Sequence, residues 1–179
     1  MQTILPIQTE RASGAVHRLL DAASGDRGLA CNMIRTMAHS PRALEGYVQF
    51  RSALESGTLA AQVRERIALA VAQANLCEYS LAEHTYLAAQ LGLTKCEIAA
   101  SREAWAADWG TYAVLRFARD LATRRGPCSV AALREYGYTD ADIIEVMAHV
   151  ALNVFENYVN DVALTELDFP KLERAAIAA

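Results

Sequence analysis

Apolar residues recur along this chain at helical spacing, and glycine, proline and capping residues mark the breaks between runs. Leu59, Val63, Ile67 and Val71 fall every four residues, and Ala70 and Ala74 accompany them. That pattern predicts a central helix, beginning at Thr58, that neighbours can approach closely. Before it, Val16, Leu19 and Leu20 give a short helix over residues 12–23, broken by Gly25 and Gly28, and Met33, Ile34 and Met37 give another over 29–38. Ser40-Pro41 then places an N-cap and a first-turn proline ahead of Leu44, Tyr47, Val48 and Leu54. Thr94 with Glu97 and Thr139 with Asp142 repeat one capping signal, each after a glycine two residues earlier. A helix over residues 113–122 ends at Arg124-Arg125-Gly126-Pro127, a short one runs over 129–136, and the last carries Ile143, Val146, Val150, Val154 and Tyr158. No segment alternates with the period of a strand. The prediction is an all-α fold: an arm with short helices over 1–39, a helical domain over 40–170 and a tail over 171–179.

Polar residues inside the central apolar stretch carry the candidate chemistry. Asn75 and Glu78 stand as N-cap and N3 of a new helix, which places Cys77 in its first turn. There the free backbone N–H groups and the helix dipole favour a thiolate. Ser80 and His84 follow on the same face, and Glu65 lies on the preceding helix. Each has a plainer reading. Cys77 is also a small hydrophobe suited to a core, His84 a core histidine, and Glu65 a solvated helix residue. Glu65 gains a role only if the two helices pack so that its carboxylate reaches His84. Tyr79 lines the site or packs, and His17, His39 and His149 have no partner in sequence and receive no role.

Composition narrows the classes. A hydrophobic fraction of 53%, rich in alanine, suits a helical core, and a formal charge of −4 without a basic block argues against a nucleic-acid-binding protein. Cys31, Cys77, Cys96 and Cys128 form no Cys-x-x-Cys pair, so a reducing cytoplasm is expected and a metal site is not. The first residues lack the features of a signal peptide, and no apolar run suits a membrane span.

With Glu65, Cys77 and His84 at these spacings, the sequence resembles the alkylhydroperoxidase D-like family within the carboxymuconolactone decarboxylase superfamily. Its redox motif is Glu, eleven residues, Cys, two residues, Cys, three residues, His. Arg64, Ile67 and Leu69 around Glu65, the Cys77-Glu78-Tyr79 run, Gly92-Leu93-Thr94, the segment 153–161 and Asp168-Phe169-Pro170 extend the similarity. The departure is Ser80, which stands where redox members carry the second cysteine. A disulfide cannot form there, although a serine hydroxyl can hydrogen-bond a thiolate at Cys77. Tyr79 occupies a position that is often histidine in the family.

The resemblance implies a helical bundle that assembles as a dimer, trimer or hexamer with its site near a subunit interface. The leading expectation is a peroxidase-type antioxidant oxidoreductase: Cys77 as the single reactive cysteine, Ser80 its hydrogen-bond partner, and His84 with Glu65 the proton relay. It would need no cofactor, but a dithiol or lipoyl-type reductant for turnover. The alternative is a lyase of the decarboxylase type acting on a small carboxylated substrate. For that reading Arg64 or Arg66 would hold the carboxylate, and Asn157 and Asp161 would line the cavity. A non-catalytic oligomer is the third possibility.

Overall fold

The computed structural model describes residues 2–24, 30–126 and 128–170. Among them nine α-helices and one short 3-10 turn, Thr9–Arg11, account for the regular structure, and there are no strands. The helices are α1 (Gly14–Ser24), α2 (Asn32–Met37), α3 (Pro41–Glu55), α4 (Ala61–Asn75), α5 (Glu78–Gln90), α6 (Lys95–Arg102), α7 (Trp109–Thr123), α8 (Val130–Glu135) and α9 (Asp140–Ala163). The expected all-α fold is therefore the fold observed. The Gly25, Gly28 and Pro127 breaks and the 171–179 tail lie outside the described residues.

Helix α4 is the axis of the molecule, packed against α5, α6, α7 and α9. Its periodic apolar residues cause this: Ile67, Leu69 and Val71 are fully buried, and each such side chain contributes about 1.5–3 kcal/mol of burial. Ala68, Ala70 and Ala72 are also buried, and their small side chains allow neighbours to approach on several faces. One core joins α4 to α7, α8 and the first half of α9. A second joins α1, α2 and α3 to the start of α5, and Tyr79 and Leu152 belong to it. The leading segment is tied down as well, through Thr3 N to the Ala163 carbonyl at 2.8 Å and Ile7 N to the Arg35 carbonyl at 3.2 Å.

The capping signals form as predicted at three places. Ser40 Oγ accepts from Ala43 N, and both Thr94–Glu97 and Thr139–Asp142 are complete capping boxes. Glu145 of α9 accepts from Thr58 N and Leu59 N at 2.9 and 3.0 Å, which fastens the α3–α4 connection to α9. That connection is longer than predicted, because α4 begins at Ala61 rather than at Thr58. Helix α7 begins earlier than the 113–122 pattern suggests, since Asp108 caps it by accepting from Thr111 N. Trp109 and Tyr112 stack edge-on in its first turn, with ring centroids 5.8 Å apart.

The α4–α5 junction differs from the sequence reading in a way that matters for the site. Asn75 is not an N-cap but the last residue of α4. Leu76 turns into the left-handed region at φ 59°, and Cys77 N donates to the Ala72 carbonyl at 3.0 Å, closing α4. Cys77 is therefore itself the N-cap of α5, and Glu78 opens the helix instead of standing at its third position. The helix-favouring alanines at 72 and 74 carry α4 through the asparagine. Among the described residues, no helix is long and apolar enough to cross a membrane.

Candidate active site

Helices α4, α5 and α9 bring together two of the four predicted catalytic side chains and add a third group. Glu65, at the start of the second turn of α4, and His84, midway along α5, face each other across the α4–α5 contact. His84 Nδ1 and Glu65 Oε2 are 2.8 Å apart. On its other edge, His84 Nε2 stands 3.5 Å from Glu156 Oε2 of α9, at ion-pair rather than hydrogen-bond distance. The Tyr47 hydroxyl of α3 donates to the second oxygen of Glu156 at 2.7 Å. Burial acts to lower the His84 pKa, but the Glu65 and Glu156 carboxylates outweigh it and hold it well above the ordinary histidine value. The ring thus lies between two carboxylates that favour its protonated form.

This chain of groups opens on a cavity of about 90 Å³, room for several water molecules or a small organic acid. Arg51, Arg64 and His149 also line it. Arg51 pairs with Glu55 at 3.0 Å and lies over the Tyr47 ring. The Arg64 guanidinium donates only to the backbone carbonyls of Glu55 and Leu59, at 2.9 and 3.1 Å, and forms no ion pair among the described residues. Arg66, the other cation considered from sequence, points elsewhere and binds Glu97 and Ser101.

Cys77 and Ser80 occupy a separate layer toward the α5 N-terminus. The Cys77 thiol donates to Ser80 Oγ at 3.3 Å, and Asn160 Nδ2 of α9 donates to the same oxygen at 3.3 Å. The Cys77–Ser80 hydrogen bond expected from sequence is thus present, but its surroundings disfavour a thiolate. Burial pushes the Cys77 thiol up to about 11, hydrogen bonding from Ser80 only partly offsets this, and Asp161 adds to the rise. The helix N-terminus that should favour the anion is itself enclosed, with Cys77 1% exposed. Neither Cys77 nor Ser80 lines the cavity beside His84.

The remaining predicted pocket residues lie outside that cavity too. Tyr79 packs in the second core, where its hydroxyl donates to Asp168 Oδ1 at 2.7 Å and accepts from Met33 N at 3.3 Å. Asp161 is exposed and acts on Cys77. Asn157 is fully buried in α9, with no hydrogen-bond partner for either side-chain polar atom among the described residues. No three His, Cys, Asp or Glu side chains among the described residues converge so as to hold a metal ion. Sequence reasoning missed Glu156, His149 and Tyr47. A signal for the first two was present: His149, Asn153, Glu156 and Asn160 repeat at helical spacing, a polar line within an otherwise apolar helix. Nothing in the sequence singled out Tyr47.

Residues 41–124, from the start of α3 to the end of α7, match the sequence profile of the carboxymuconolactone decarboxylase family. Glu65, Cys77, Ser80 and His84 all fall inside the matched region, whereas His149 and Glu156 lie beyond it. No curated protein matches the chain in sequence. Solved structures match its fold along nearly the whole length. An uncharacterized peroxidase-related protein with an alkylhydroperoxidase AhpD core from Ralstonia eutropha JMP134 superposes with a TM-score of 0.80 at 20% identity, covering 94% of each chain. A cysteine-to-alanine variant of the debrominase Bmp8, in complex with 2,3,4-tribromopyrrole, gives 0.80 at 17% identity, covering 94% of this chain and 92% of that one. A peroxidase-related protein from Silicibacter sp. TM1040 gives 0.76 at 18% identity, covering 91% of each. At these identities the likeness establishes the fold.

Proposed function

We propose that the chain is an acid–base enzyme of the carboxymuconolactone decarboxylase type, acting on a small carboxylated molecule in the α3–α4–α5–α9 cavity. One observation carries this reading: a buried histidine, held between Glu65 and Glu156, borders a small cavity together with an arginine that has no carboxylate partner among the described residues. Arg64 would anchor a substrate carboxylate. When a C–CO₂ bond breaks, CO₂ departs, and the electron pair stays on the substrate as an enolate-like carbanion. The His84 imidazolium delivers a proton to that carbanion and is reprotonated from water. Glu65 keeps the ring oriented throughout.

The test is decarboxylation of carboxylated lactones, followed by NMR. His84→Gln should lower the rate by about 10²–10⁴-fold, the usual worth of a positioned proton donor. Arg64→Gln should chiefly raise KM, and Cys77→Ala should leave the rate within a few-fold. Turnover that vanishes with Cys77→Ala and survives His84→Gln overturns the reading.

A second reading, the peroxidase-type oxidoreductase, is favoured by the Cys77–Ser80 hydrogen bond. The names of the structural neighbours add support: two are peroxidase-related proteins, and the debrominase binds its bromopyrrole as a cysteine variant. In that reaction the Cys77 sulfur attacks a peroxide, the O–O bond breaks, an alcohol leaves, and the sulfenic acid is reduced by an external dithiol or lipoyl group. Rapid sulfenic acid formation at Cys77 with an organic hydroperoxide at neutral pH would establish this reading. The raised thiol pKa argues for slow reaction.

The homo-oligomer expected from sequence finds support on the outer face of α9. Ile144, Ala151, Phe155, Tyr158 and Val162 lie there exposed in a line dominated by three- and four-residue steps, as a helix–helix seam requires. Light scattering that gives a monomer mass, unchanged by Tyr158→Glu, would rule that assignment out.

A further inference from the structure

The cavity contains a second imidazole, which the family motif does not include. His149 of α9 lies two turns before Glu156 on the same face and is 5% exposed. Its Nε2 is buried and has no hydrogen-bond partner among the described residues. Asn153 bonds the His149 backbone carbonyl at 2.8 Å rather than the ring. The Nε2 of His84 is likewise buried without a hydrogen bond. His84 Nε2 faces the Glu156 carboxylate at 3.5 Å, whereas His149 Nε2 stays unsatisfied in the same small cavity, which natural cores seldom tolerate unless water or a ligand completes it.

We propose that His149 is the proton acceptor of this site and His84 its donor, so that the cavity takes a small carbon acid bearing a carboxylate and a C–H bond beside a carbonyl. The proposal rests on the acid–base reading above and gives the substrate class a second feature. Arg64 holds the carboxylate. The His149 Nε2 lone pair takes the proton, the C–H electron pair moves toward the carbonyl, and His84 Nε2–H protonates the oxygen as it becomes an enol. Return of a proton from His149 to carbon, and of the enol proton to His84, restores both rings, so no oxidant or reductant is consumed.

The electrostatic setting agrees with this division of labour. Burial and then the positive charge of Arg64 lower the His149 pKa, whereas the two carboxylates beside His84 raise that ring's. Groups pushed apart in this way mark acid and base partners in a shared site. His149 is faced by Arg64 and Glu65 of α4 and by Glu145 and Glu156 of its own helix. Arg51 and Glu55 of α3, and Glu83 and His84 of α5, line the same cavity. Arg64 and burial together outweigh the carboxylates.

The experiment uses the full chain and 4-oxopentanoate, which carries both features, as the probe. Histidine ring signals are followed by NMR against pH with and without the probe, and loss of the probe's C–H signals is followed in D₂O. His149 should titrate below the free value of about 6.5 and shift when the probe binds. Deuterium should enter beside the probe's carbonyl, about 10²-fold more slowly with His149→Gln or His84→Gln. Three results each overturn the proposal: a His149 signal that ignores the saturating probe, a wild-type chain that exchanges no deuterium, or exchange equally fast in folded His149→Gln. Should that variant not fold, the wild-type titration and exchange decide. Lactone decarboxylation that needs His84 but not His149 would leave the decarboxylase reading standing and remove this one. Exchange that needs both rings, without any lactone turnover, would do the reverse.

Discussion

Two layers of the α5–α9 contact, about two helical turns apart on one helix face, treat their polar groups in opposite ways. In the layer around His84, burial is opposed by carboxylates from α4 and α9, which favour the charged form of the ring. In the layer around Cys77, burial meets only neutral hydrogen bonds and one acidic neighbour, and the thiol is held in its uncharged form. Cys77 and His84 belong to one sequence motif and one helix. The partners supplied across the interface separate them: Glu65 and Glu156 for the histidine, Asp161 for the cysteine, with Asn160 bonded to the cysteine's partner Ser80. A motif thus specifies which side chains share a face, whereas the opposing helices specify their charge.

The largest effect that could break this comparison concerns thiol reactivity. A rise from 9.0 to about 11 lowers the Cys77 thiolate fraction at neutral pH by about 100-fold. Iodoacetamide should therefore label exposed Cys96 well before buried Cys77, as peptide mass spectrometry would show. Preferential labelling of Cys77 in the folded chain would restore the reactive-thiolate reading.

Next in size is the support of Glu156. Tyr47→Phe removes the hydrogen bond to a buried carboxylate, and unfolding in urea should show a loss of about 1–3 kcal/mol. No loss would mean that water replaces the hydroxyl and that the His84 layer is more open than its burial indicates.

The pH dependence of stability sharpens the contrast between the two rings. His84 has a raised folded pKa, so its contribution is complete below the unfolded value of about 6.5 and is lost as pH rises through the folded value. His149 has a lowered folded pKa, so its contribution is complete above about 6.5 and is lost as pH falls through the folded value. Urea midpoints measured across pH should lose their decline on the alkaline side in His84→Gln and their decline on the acid side in His149→Gln. The same slope lost in both variants would contradict opposite charge states.

The smallest expected effect lies at the joint that places Cys77. Leu76 adopts φ 59° and is 78% exposed. A left-handed conformation costs a leucine about 1–2 kcal/mol, part of which glycine recovers against its greater unfolded-state entropy. Leu76→Gly should raise the stability read from the urea midpoint by a few tenths of a kcal/mol. A clear destabilisation would show that the leucine side chain is packed, as it would be against a second copy.

Local chemistry along the chain determines a large part of this protein. The period of Val63, Ile67 and Val71 makes α4 the axis, and serine and threonine caps set the starts of α3, α6 and α9, because helix periodicity and capping act between near neighbours. Glu65, Cys77, Ser80 and His84 are legible as candidates because three or four residues along a helix return to one face. Three matters are decided only in the folded chain. The end of α4 passes through Asn75, since helix-favouring alanines and a left-handed Leu76 outweigh a residue with good capping character. The meeting of Glu65 with His84 requires α4 and α5 to pack side by side, and the addition of Glu156, Tyr47 and His149 requires α9 and α3 to close over them. The charge on each group comes last. A pKa depends on burial and on neighbouring charges, and both come from helices that touch only in the tertiary structure.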